Sequence, residues 1–280
     1  MKKFILITIS LFFFLNVSAQ RKKSEQYDIK SSQLSGLKFR SVGPAFMSGR
    51  IADIAINPEN ENEWYVAVGS GGVWKTSNSG TTWTSIADDQ PFYSTGCITI
   101  DPYNSSKIWL GTGENVGGRH VGIGHGVYMS ENGGKKWKDM GLKSSEHISK
   151  IIVSPNDPNL VFVASQGPLW SPGGDRGLFR STNGGEDWEN VLSVNEWTGV
   201  TDIVIDHNNP STLYAATWQR HRNVAAYMGG GPGTSVYKSV DNGKTWIEIK
   251  NGLPDSNLGK IGLAISPFDS SILYAAVETD

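Results

Sequence analysis

One eight-residue box, written four times, constrains this chain more than any other feature. The clearest copy is Ser239-Val240-Asp241-Asn242-Gly243-Lys244-Thr245-Trp246. The same offsets recur from Thr76 through Asn78 and Gly80 to Trp83, from Ser130 through Asn132 and Gly134 to Trp137, and from Ser181 through Asn183 and Gly185 to Trp188. A hydroxyl, then Asn or Asp, then Gly, then Trp hold their places while the other positions drift. Asn or Asp two residues before Gly is turn chemistry: the side chain bonds its own backbone, and Gly supplies a positive φ. An apolar strand precedes each box, and the Trp is expected to open the next strand. Burying a Trp removes roughly 150–250 Å² from water, about 4–6 kcal/mol before entropy is charged against it. The boxes therefore read as stapled hairpin turns, with Asn78, Gly80, Trp83, Asn132, Gly134, Trp137, Asn183, Gly185, Trp188, Asp241, Gly243 and Trp246 in structural roles.

The boxes repeat at a period of roughly fifty residues, with only short strands between them, which is the pattern of a β-propeller. Before each box stand two further strands. The first, strand A, ends at a polar, mostly Pro-containing turn: Ile51–Ile56, Cys97–Ile100, Ile151–Val153, Ile203–Ile205 and Ile261–Ile265. Pro cannot continue a ladder, so it ends the strand. The second, strand B, is Trp64–Val68, Ile108–Leu110, Leu160–Ala164, Leu213–Ala216 and Ile272–Val277. With strand C before the box and strand D after it, each repeat is one four-stranded blade. The expectation is an all-β propeller of about four and a half such blades, near residues 50–95, 96–147, 148–199, 200–258 and 259–280. The last has strands A and B but no box, so the propeller over 37–280 is read as incomplete at its C-terminus. No helical periodicity of useful length interrupts it.

Residues 1–19 read as a signal peptide: Lys2-Lys3, an apolar run from Phe4 to Val17, and small residues before a cut ahead of Gln20. This predicts a secreted, periplasmic or cell-surface protein with no transmembrane segment after cleavage. Residues 20–36 are a polar lead-in, and Leu37–Pro44 reads as a short strand leading into the fold. The chain holds 25 Lys and Arg against 27 Asp and Glu, a net charge of −2, which argues against nucleic acid as a partner. Its 1 cysteine, Cys97, excludes an internal disulfide and reads as a buried thiol.

Alternating strands place the A–B turns and the boxes on one rim, and the B–C and D–A loops on the other. The long insertions all fall between B and C, at Gly113–Gly126, Ser165–Gly177 and Thr217–Ser235, against a tight Gly69-Ser70-Gly71-Gly72 in the first blade. Insertions gathered on one face mark a binding face. The candidate ligand-binding residues there are Arg50, Glu114, Arg119, His120, Trp170, Asp175, Arg176, Trp218, Arg220 and His221. Aromatics stack on sugars or peptide side chains, and Arg forks take carboxylates. Arg50, Arg119, Arg176 and Arg220 are expected to converge on one positive mouth. His120 and His125 lack a third metal ligand in register. The pattern calls for no cofactor and no metal, and it identifies no catalytic residue.

The boxes resemble the Asp-box, or BNR repeat. The chain looks like secreted bacterial BNR-repeat proteins labelled glycosyl hydrolase, whose propeller is also similar to the sortilin ectodomain. Phe39–Pro44 with Ser48-Gly49-Arg50, Gly111–Asn115 and Gly167–Trp170 with Gly173–Gly177 carry that likeness. It implies a propeller fold and a secreted location. Glycoside hydrolase family 74 is similar in the first blade, where a Thr-Asp-hydrophobic-Gly-Gly loop carries a catalytic Asp. Here Ser70 stands in that place, and a hydroxyl cannot serve as general acid or base for a glycosidic bond. The leading expectation is a non-catalytic propeller that binds a peptide or glycan on its B–C loops. The alternatives are a carbohydrate-active hydrolase of the xyloglucanase type and a scaffold for a surface complex.

Overall fold

The computed structural model describes residues 49–279, together with Lys30, Ser32 and Gly36. The chain divides into two units, Met1–Ala45 and Phe46–Asp280, and the second carries the fold. The expected signal peptide, the Leu37–Pro44 strand and all but those three positions of the lead-in lie outside the described residues.

The first antiparallel sheet is β1 (Ile51–Ile56), β2 (Trp64–Val68), β3 (Gly72–Thr76) and β4 (Thr84–Ser85), paired in chain order. The second is β5 (Thr95–Asp101), β6 (Asn104–Thr112), β7 (Val127–Ser130) and β8 (Lys138–Asp139). The third is β9 (Ile148–Ser154), β10 (Asp157–Ser165), β11 (Gly177–Ser181) and β12 (Glu189–Leu192). In the fourth, β13 (Thr198–Ile205) and β14 (Leu213–Gln219) are followed by a separate hairpin, β15 (His221–Arg222) with β16 (Tyr227–Met228). The sheet then resumes with β17 (Val236–Ser239) and β18 (Ile247–Ile249). Last, β19 (Leu258–Ile265) pairs with β20 (Leu273–Thr279). Repeated four-stranded antiparallel sheets with their A strands side by side make this an all-β, multi-bladed propeller architecture.

Strand alternation explains the packing. Along β10, Val161 and Val163 face the second sheet, while Leu160, Phe162 and Ala164 face the fourth. The apolar clusters consequently lie between successive blades, so the second, third and fourth sheets are covered on both faces and the first and last on one.

The boxes are turns of one design. In the third copy Ser181 Oγ donates to Asn183 Oδ1 at 2.8 Å and accepts from the Gly185 amide at 2.8 Å, while Asn183 Oδ1 accepts from the Asp187 amide at 3.0 Å. The equivalent three bonds close the other copies. Positions four and five of every box are both left-handed, as in Asn242 (φ 61°) and Gly243 (φ 72°). Each box also donates one amide to the A–B turn or the start of strand B in its own blade, such as Gly184 N to Asn159 O at 2.9 Å.

Two details differ from expectation. Each box Trp lies one residue before the D strand rather than opening it. It is also half-buried or exposed rather than buried, because it lies at the sheet surface, where two of the four reach the preceding blade. Trp137 Nε1 donates to Ile86 O at 3.2 Å, and Trp188 Nε1 to Met140 O at 2.7 Å, each in the preceding blade. Trp83 is 39% exposed and meets Trp64 of its own blade.

Bulges interrupt β1, β5, β13 and β19 near their B–C ends. A bulge re-aims side chains, and these turn polar groups toward the neighbouring blade. Asp53 Oδ2 accepts from Ile98 N at 3.0 Å, and Asp202 Oδ2 accepts from Leu263 N at 2.8 Å. No helix among the described residues is long and apolar enough to cross a membrane.

Candidate functional site

The three long B–C loops knit into one wall. The second blade's loop is tied back by Gly113 N to Ser94 O (2.9 Å) and by Gly124 N to Glu146 O (2.8 Å). The β15–β16 hairpin grows from the fourth blade's loop, and Arg222 N donates to Leu169 O of the third at 2.9 Å. Arg222 spans further: its guanidinium lies 4.5 Å from the Tyr227 ring centroid and donates to Gly117 O at 3.3 Å. Loops from three blades thus share one surface, on which Trp170 (46% exposed) and Tyr227 (39%) stand open.

The four arginines do not converge. The Arg176 guanidinium is buried and donates to five carbonyls of its own loop wall, at Gln166, Pro168, Ser171, Gly173 and Trp197. Burial lowers it to about 10. It organises the loop and has no face left for a ligand. Asp175, the neighbour that could have paired with it, instead accepts from Ser144 N at 2.9 Å. Arg220 is fully buried, with its guanidinium 5.0 Å from the Trp218 ring centroid and Nη1 donating to Val116 O at 2.9 Å. Burial first, and then Arg176 among its neighbours, lower it to about 9. Arg119 is exposed and donates to Val224 O at 3.1 Å. These buried guanidiniums satisfy loop carbonyls that would otherwise be costly to bury.

Trp218 lies in β14 rather than in a loop; it is buried and donates to Gly229 O at 2.8 Å. Of the two candidate tryptophans only Trp170 faces solvent. His221 is half-buried and packs on Trp197, with ring centroids 4.6 Å apart, whereas His120 and His125 are exposed.

Arg50 and Glu114 form the remaining charged constellation. Arg50 Nη2 pairs with Glu114 Oε1 at 2.5 Å, with the arginine side chain 62% exposed and the glutamate 2%. Glu114 Oε2 accepts from Gly122 N at 2.7 Å, and Ser70 Oγ reaches Glu114 Oε1 at 3.5 Å. The approach needs glycine at 69, where a Cβ would sit 2.5 Å from Glu114 Oε1.

A second polar centre joins four blades and was not singled out from the sequence. Asn115 Oδ1 accepts from Gln166 Nε2 and, at 2.9 Å, from Lys260 Nζ, while Gln166 Nε2 also reaches Thr201 Oγ1 at 3.3 Å. Burial, with Arg220 nearby, lowers Lys260 to about 8. Thr201 and Lys260 both sit within strand bulges, so no alternation pattern points them here. Below this centre the A strands line an open cavity of 510 Å³ whose walls are mostly aliphatic, including Ile54, Ile100, Ile152 and Ile265.

Comparison with known proteins gives the fold a context. A family model described as sortilin, neurotensin receptor 3, matches residues 125–255. The chain is similar to a xyloglucanase of Hypocrea jecorina, 27% identical over 229 residues, which is 72% of this chain and 26% of that protein. It is also similar to a xyloglucanase of Paenibacillus sp, 23% identical over 220 residues, covering 70% and 20% respectively. The chain spans about a fifth to a quarter of the length of these relatives. Among solved structures it shares its fold with an ancestral GH74 enzyme, at a TM-score of 0.64 and 24% identity over 83% of this chain and 28% of that one. The GH74 xyloglucanase from Xanthomonas campestris gives a TM-score of 0.58 and 18% identity over 83% and 35%. The chain is an all-β, multi-bladed propeller related to GH74 xyloglucanases and Vps10-like propellers.

Proposed function

We propose that this protein is a secreted Asp-box propeller that binds a polysaccharide across its B–C rim. The observation that carries the reading is the open Trp170–Tyr227 surface on the rim where every long loop gathers. Flat aromatic faces stack on sugar rings at small entropic cost. The relation to xyloglucanases over about seven-tenths of the chain directs the reading to a glycan rather than a peptide. We read the described residues as binding rather than cleaving. Glycoside hydrolysis takes two carboxylates with separate roles. With Gly71-Gly72 matched to the Gly-Gly of the xyloglucanase-type loop, its Asp falls at Gly69 and its hydrophobic residue at Ser70, so this loop offers no carboxylate, and the nearby carboxylate, Glu114, is held by Arg50, Gly122 and Ser70.

The test is affinity electrophoresis and calorimetry of the full chain on xyloglucan, other β-glucans and a peptide panel, with a parallel assay for released reducing ends. Trp170→Ala and Tyr227→Ala should each weaken glycan binding about tenfold while the melting temperature stays put. Unchanged binding in the double variant would remove the rim as the site. Release of reducing ends would return the protein to the hydrolases.

A further inference from the structure

We propose that Arg50 is a specificity-determining residue for an anionic group, a uronate carboxylate or a sulfate ester, on the glycan bound at this rim. The inference rests on the glycan-binding reading and adds the charge of the ligand.

Arg50 is the candidate arginine whose guanidinium is both exposed and held by a carboxylate. Arg176 and Arg220 are spent on buried carbonyls, and Arg119 is tethered to a loop carbonyl. The Arg50 side chain makes one bond among the described residues, Nη2 to Glu114, which leaves most of its five N–H donors facing solvent. Its holder is costly. Glu114 is 2% exposed, and a buried carboxylate is tolerated only when its lone pairs are satisfied. Gly122 N, Ser70 Oγ and Arg50 supply that satisfaction.

Two glycines make the arrangement possible. A Cβ at Gly69 would sit 2.5 Å from Glu114 Oε1, and one at Gly49 would sit 2.6 Å from Ser70 N. Sequence that keeps both positions bare and buries an acid beneath an exposed cation is organised to aim that cation. The first blade's B–C connection is also the short one, so no long loop of its own rises over Arg50. A guanidinium fixed on one edge presents its other edge as a fork, which suits the paired oxygens of a carboxylate or sulfate.

The experiment measures affinity of the full chain for polygalacturonate, dextran sulfate, dextran and neutral xyloglucan at low and moderate salt. Wild type should favour at least one anionic polymer over the neutral glycans, with an advantage that shrinks as salt rises. Polygalacturonate and dextran sulfate separate carboxylate from sulfate as the group recognised. Arg50→Gln, which removes the charge and the fork but keeps a polar side chain, should lose about tenfold on the anionic polymer and less than twofold on neutral xyloglucan. Arg50→Lys should fall between, because a point charge keeps the attraction without the fork. Glu114→Gln should cost anionic binding in the same direction by releasing Arg50. Binding to neutral xyloglucan alone would overturn this inference and leave the rim reading standing. Binding to none of the polymers would overturn both. Equal losses on charged and neutral ligands in Arg50→Gln would also defeat it.

Discussion

Gly185→Ala isolates what the box glycine contributes beyond its backbone angle. Gly185 has φ 88°, and an added Cβ would lie 2.8 Å from Trp109 Cη2, 3.0 Å from Trp109 Cζ3 and 3.1 Å from Met140 Cε. Trp109 is fully buried between the second and third blades and cannot swing aside. Gly252 is the natural control, with φ 89° and nothing within 4 Å of the place a Cβ would take. In both variants the left-handed backbone costs an L-residue about 1–2 kcal/mol, partly offset by about 0.4–1 kcal/mol from a stiffer unfolded chain. At Gly185 overpacking adds about 1–3 kcal/mol. With an m-value of about 3 kcal/mol/M, that excess lowers the urea midpoint by about 0.3–1 M relative to Gly252→Ala. Urea titration of the two variants beside wild type, followed by tryptophan fluorescence and far-UV circular dichroism, reads the difference. Equal midpoints would mean that this box glycine serves only its φ, and that the close packing of the third box on the preceding blade carries no stability.

Two further outcomes follow from buried groups on the loop-rich rim. Burial, with Arg220 nearby, lowers His147 to about 3, so the folded protein refuses a proton that the unfolded chain takes up below about pH 6.5. Stability should therefore fall as pH drops from about 6.5 toward 3, by up to about 1.4 kcal/mol per unit from this residue; His147→Gln should flatten that part of the slope in urea midpoints taken between pH 7 and 5, and parallel slopes would refute the assignment. Arg176→Ala strips donors from five carbonyls and should destabilise by about 3–5 kcal/mol, since removing one member of a buried charged network leaves the others unpaired. Limited proteolysis should then cut within residues 166–176, and an unaltered digestion pattern would show that the loop holds without its guanidinium.

The rim site was partly legible from sequence and partly hidden. Trp170 and Trp218 look alike as loop tryptophans after a B strand, yet β14 runs on to Gln219 and carries Trp218 inside. Arg50 looked like one arginine of four, and its distinction comes from Glu114, 64 positions away. Of the centre made by Asn115, Gln166, Thr201 and Lys260, only Asn115 lies in a stretch the sequence picks out, and strand bulges aim Thr201 and Lys260.

What the sequence by itself determined is everything built from short-range rules. The hydroxyl, Asn or Asp, and Gly of each box close a turn through bonds spanning two to four residues, and alternating strands then dictate blades, their order and the rim on which insertions collect. Tertiary structure alone decided which cations stay available to a ligand. Carbonyls of loops from different blades meet only in the folded chain, and a guanidinium goes where unpaired carbonyls are buried. The loops claimed Arg176 and Arg220 for that reason, and left Arg50 exposed and, among the described residues, held by one acid.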